Sequence, residues 1–170
     1  MSSSKGTSTL NTPLPIEGLS ATAKNINESS RRLSGAIDQL NTALKKLNLG
    51  IPVWVMSSTG PDNSSGVEEF EEIGYDRFRG KWGICLRHTI EGAAPEPEET
   101  YWHFDDAPRD IRLRGAACLH MLIAALHEKA HLTAEILDQR TSDAEDLAKS
   151  INEIAETSRL KVSLIPKGDD

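Results

Sequence analysis

The chain has 170 residues, 38% hydrophobic and 26% charged, with a formal net charge of -7. That length suits one domain burying roughly two thirds of its unfolded surface, and the acidic balance excludes a protein whose whole surface grips a phosphate backbone, because such binding needs clustered Lys and Arg. No apolar run approaches the ~18 residues of a membrane span, and no secretory leader pattern opens the chain, so the expectation is a cytoplasmic protein.

Residues 1–15 are rich in Ser, Thr, Asn and Pro and read as a disordered arm, and 166–170 as a disordered tail. Between them, 16–165 reads as a single domain. Its first element is an unbroken three-four apolar repeat over 16–48, with Ile16, Ala23, Ser30, Ile37 and Leu44 at a positions and Leu19, Ile26, Leu33, Leu40 and Leu47 at d positions. A 3.5-residue period keeps one stripe of a long helix against a partner. The flanks are small or neutral, among them Ser20, Thr22, Asn27, Ser29, Ser34 and Ala36, which favours close packing in a bundle over a charge-coded zipper. Asn48 or Gly50 is expected to close the helix in the left-handed conformation.

An antiparallel sheet is expected over 51–104. From Ile51 to Met56 the period becomes two, and a polar loop with an acidic run at Glu68, Glu69, Glu71 and Glu72 follows. The hairpin Ile73 to Ile90 turns at Arg79 and Gly80, which places Ile73 opposite Leu86, Tyr75 opposite Ile84 and Arg77 opposite Trp82, with a cation over an indole. Gly74 and Gly83 on the other face invite close approach. Thr100 to Phe104 forms a last short strand.

A helical pair is expected over 106–157. Asp105 or Asp106 caps a helix running to about Asp138, and a Ser142–Glu145 capping box starts another with the stripe Ala144, Leu147, Ile151 and Ile154. Leu160, Val162 and Leu164 alternate like an edge strand. The class is α+β: a long N-terminal amphipathic helix, an antiparallel sheet of three to four strands, then two helices packed on the sheet and the first helix. Cys85 and Cys118 lie in apolar stretches without a CxxC partner and read as buried thiols.

His127, Glu128, Lys129, Ala130 and His131 spell H-E-x-x-H, which resembles the zinc metallopeptidases over five residues. The resemblance implies zinc held by His127 and His131, Glu128 as general base, and a third ligand for which Glu153 is the candidate. Lys129 departs from the usual pattern. His120, His127, His131 and Asp138 share one side of the helix, an alternative metal site between helices. Arg77, Arg79, Lys81 and Trp82, with Arg87, Phe78 and Trp54 nearby, form the nucleic-acid alternative, in which aromatics stack and cations neutralise a strand. The element order also resembles, in topology alone, the small bacterial nucleoid-associated proteins that dimerise. The primary expectation is a non-enzymatic interaction or accessory protein without cofactor, a homo-oligomer or a docking module that uses the long helix through Ile26, Leu33, Ile37, Leu40 and Leu44.

Overall fold

The computed structural model describes residues 16–60, 66–92 and 94–163; the terminal arm and tail expected from composition lie outside them. Helix α1 spans Ile16–Leu47, strands β1 to β4 span Val53–Thr59, Glu68–Phe78, Lys81–Glu91 and Glu98–His103, and after a 3-10 turn at Phe104–Asp106 come α2 (Arg109–Ala117) and α3 (Leu119–Ser163). The strands pair antiparallel in the order β1-β2-β3-β4, so the class is α+β as its patterning implied.

Helix α1 ends because Asn48 takes φ 50 and returns its N–H to the Lys45 carbonyl at 3.1 Å, the left-handed closure that Asn tolerates. Strand β1 starts at Val53 rather than Ile51, since Pro52 has no N–H to give a ladder. At the β2–β3 turn Arg79 and Gly80 both take positive φ, 49 and 81. Those are the requirements of a two-residue type I′ turn, and they fix the register Ile73↔Leu86, Tyr75↔Ile84 and Arg77↔Trp82. Gly80→Ala is expected to cost about 1–2 kcal/mol by placing a Cβ in left-handed backbone; urea titration should show a lower midpoint at unchanged slope.

Alternation divides the sheet into two faces. Val53, Ile73, Tyr75, Ile84 and Leu86 turn inward and form the core with Ile37 and Leu44 of α1, Phe104, Ile111 of α2, and Leu122 and Leu126 of α3. All three helices therefore lie on one side. Beyond the end of β4, the Asn41 side chain accepts the Ile84 N–H at 2.7 Å, satisfying a donor the sheet leaves open and pinning α1 to β3.

Three expected boundaries move. Asp105 and Asp106 sit in the 3-10 turn, and Pro108 is the N-cap of α2. The chain breaks early, at Cys118 (φ -100, ψ 7), where its N–H returns to Gly115; α2 then seats against β1, β2 and β3 while α3 takes its own path over β1 and β2. No break occurs near Ser142. Gln139 donates to Asp143 at 2.9 Å and Arg140 to Asp143 at 3.3 Å, so bonds one turn apart carry the helix through a capping motif that no Gly or Pro precedes. Leu160 and Val162, expected on an edge strand, belong to α3, and Leu164 lies outside the described residues.

Candidate interaction surface

The heptad stripe of α1 meets two different environments. Ile37 and Leu44 are buried in the chain's own core, and Leu33 and Leu40 pack against it. Of the five residues expected on the interaction surface, only Ile26 is exposed. Towards the N-terminus, every residue from Gly18 to Ser29 is exposed, with Leu19 at 65% and Ile26 at 43%. Arg109 of α2 reaches this half of α1, its guanidinium donating to Asn27 at 3.1 Å. Between the two helices runs an open groove of about 350 Å³ floored by Ile26, Leu33 and Leu113.

Helix α3 repeats the pattern in reverse. Leu119, Leu122, Leu126, Ala130, Thr133, Leu137, Arg140, Ala144, Leu147, Ile151 and Ile154 continue one three-four stripe through the helix. Its first five members are buried or half-buried, and from Ala134 to Thr157 every residue is exposed. At 45 residues the helix is about 68 Å long, so its distal half has left the sheet.

The other face of the sheet carries no helix among the described residues but covers itself. Trp54 lies across Gly74, where a methyl group would run into the indole, and donates its Nε1–H to Asp76 at 3.0 Å. Phe78 stands 5.1 Å from His103 and 6.1 Å from Tyr101, and Trp54 6.0 Å from Tyr101, ring centre to ring centre. The cation over an indole is Arg87 on Trp54, at 4.7 Å, held by its ion pair with Glu72. Trp82 instead stacks on Tyr75 at 5.4 Å. Beneath this layer Cys85 is buried, with Sγ 3.8 Å from His103 Nδ1; burial, then the Asp76 charge, push its thiol up to about 12, which keeps it protonated and unreactive at neutral pH.

The nucleic-acid candidates divide between the faces. Alternation puts Arg77 and Trp82 on the helix side and Lys81 on the aromatic side, while Arg79 lies 5.0 Å over Phe78 at the turn. Nor does H-E-x-x-H assemble its proposed ligand set within one chain. His127 and Glu128 are exposed, His131 faces Glu135 at 3.4 Å, and Lys129 donates to the Pro52 carbonyl at 3.0 Å. Glu153 lies on the same continuous helix, about 33 Å beyond His131. Among the described residues no group of three His, Cys, Asp or Glu is placed to hold a metal ion, and no helix is long and apolar enough to cross a membrane.

One polar cleft escapes sequence reasoning, a hollow of about 240 Å³ lined by Ser58, Thr59, Glu69, Glu71, His88 and Arg114. Arg114 binds both Glu71 oxygens, at 2.5 and 2.6 Å, and Asp110 at 3.0 Å. The pairing with Asp110, one turn away on α2, follows from local spacing, whereas Glu71 comes from β2, 43 residues away, and no local spacing announces it. No family model, curated protein or solved structure matches the chain.

Proposed function

We propose that the protein is a non-enzymatic, cytoplasmic interaction or accessory protein that self-associates through the N-terminal half of α1. The observation that carries this reading is the single heptad stripe that is filled by the chain's own core at Ile37 and Leu44 and continues uncovered at Leu19, Ala23 and Ile26. An apolar stripe prolonged past its internal partner stabilises nothing in the monomer, and its burial between copies is favourable by roughly 25 cal/mol per Å². The small flanking residues of α1 suit a close-packed bundle. Two free thiols, one of them buried beneath the aromatic layer of the sheet, fit a reducing compartment.

The test uses Leu19→Asp with Ile26→Asp, because substitutions at Leu33 or Leu40 would also strike the fold. Sedimentation velocity of the full chain is expected to give a dimer or larger species that falls to monomer in the double variant, with the helical circular dichroism largely retained. A monomeric wild type, or a folded variant of unchanged mass, would overturn the proposal.

A further inference from the structure

Two uncovered stripes on one chain raise the question of whether they belong to each other. They do not meet within the molecule. Helices α1 and α3 do not pack along one another, since their neighbours are the strands, α2 and the 3-10 turn. Helix α3 is held by Leu122 and Leu126 in the core, and its Lys129 bonds to the carbonyl of Pro52 just past the C-terminal end of α1. The uncovered half of α1 lies at its other end, Ile26 being about 32 Å from Leu47 along the helix.

Resting on the self-association reading, we infer that the occupant of the uncovered half of α1 is the distal half of α3, residues 134–157, from a second copy, with the reciprocal contact formed at the same time. The chemistry of the two segments matches in three respects. Both carry the same three-four spacing, Leu19, Ala23, Ile26 and Ser30 against Leu137, Arg140, Ala144, Leu147, Ile151 and Ile154, with Arg140 the one charged member. Small residues predominate on both flanks: Ser20, Thr22, Asn27 and Ser29 on α1, and Thr141, Ala148, Ser150 and Ala155 on α3, where Ile136 and Asp143 are the exceptions. Their charges are opposite.

Residues 134–157 hold seven acidic side chains (Glu135, Asp138, Asp143, Glu145, Asp146, Glu153 and Glu156) against Arg140 and Lys149. Residues 16–36 hold Lys24, Arg31 and Arg32 against Glu17 and Glu28, a small positive excess. Pairing α3 with another α3 would bring two strongly acidic rods together, and pairing α1 with α1 would neutralise neither segment; the crossed pair is the one that sets the acidic segment against the one with a positive excess. A two-fold axis then repeats the seam, so a dimer closes with both stripes covered and no open end.

The experiment is subunit mixing of full-length chains, followed by sedimentation equilibrium and native mass spectrometry. One variant carries Leu19→Asp and Ile26→Asp, the other Ile151→Asp and Ile154→Asp; all four sites are exposed, so both chains keep their core. Each variant alone is expected to dissociate, its dimer constant weakened about a hundredfold or more. Mixed, they are expected to form a one-to-one heterodimer, because the α1 of one and the α3 of the other still make an intact seam. If the α1 variant is monomeric while the α3 variant remains dimeric, self-association through α1 stands and the crossed pairing is overturned. Dissociation of both without rescue on mixing overturns the crossed pairing too. If neither variant dissociates, or the wild type is monomeric, both readings fall.

Discussion

Leu122→Ala is expected to lower the unfolding free energy by about 3–4 kcal/mol, whereas Leu147→Ala should change that of the monomer by less than about 0.5 kcal/mol. The two leucines occupy one stripe of one helix and differ in what covers them: Leu122 is 0% exposed and Leu147 61%. Truncating the first removes its transfer free energy and leaves a cavity in the core cluster to which it belongs. Truncating the second removes atoms already in water. Under the crossed pairing, Leu147→Ala gains an effect as protein concentration rises, since a substitution that weakens association lowers apparent stability only where the assembly is populated. Urea unfolding at two concentrations a hundredfold apart measures both quantities. Equal losses at the two sites under dilute conditions would mean that the distal half of α3 is folded onto the monomer.

The contrast marks how far the sequence was legible. Period alone placed α1, the hairpin and the class, because each depends on local rules: the three-four spacing at Leu19 to Leu47, and the left-handed tolerance of Asn48 and Gly80. A stripe reports that a face is apolar, not which part of it finds cover. That is why Ile37 and Leu44, expected on an interface, belong to the core, while Leu19 and Ile26 stay exposed. Helix α3 shows the same limit. Ser142 with Glu145 is a start signal only where the preceding turn is broken, and Gln139 and Arg140 bridge it to Asp143.

Strand β2 was harder to see for an electrostatic reason. Glu68, Glu69, Glu71 and Glu72 looked like loop, yet they are its first five residues together with Phe70. Glu71 is neutralised by Arg114 and Glu72 by Arg87, and Glu69 faces His88 at 3.7 Å. Arg87 follows from the hairpin register, which sets it opposite Glu72, but Arg114 comes from α2, 43 residues from Glu71, a separation local patterning does not reach. The aromatic layer of Trp54, Phe78, Tyr101 and His103 was dispersed in the same way over three strands. Its alternation in β1 and β4 was a usable signal, because Trp54–Met56 and Tyr101–His103 each put two large side chains on the face opposite the core.

Above pH 9 the protein is expected to lose stability steeply, and Cys85→Ala should flatten that loss. Cys85 is 0% exposed although it lies on the face without helices, in register with Gly74 and His103. Burial, then the nearby Asp76 carboxylate, raise its thiol from 9.0 to about 12. Between those values the unfolded chain has released the proton and the folded chain has kept it. The folded state therefore binds more protons, and stability, complete below pH 9, falls as pH rises by up to about 1.4 kcal/mol per pH unit. Burial raises the Tyr75 hydroxyl as well, which adds to the loss in the same direction at higher pH. Alanine at 85 removes the thiol's share at the cost of a small cavity, about 1 kcal/mol independent of pH. Unfolding of both proteins under reducing conditions at pH 8, 9.5 and 11 separates the effects. Converging curves would show that the aromatic layer seals the thiol from water. Parallel curves would mean that Cys85 ionises in the folded protein and that the layer above it opens to solvent.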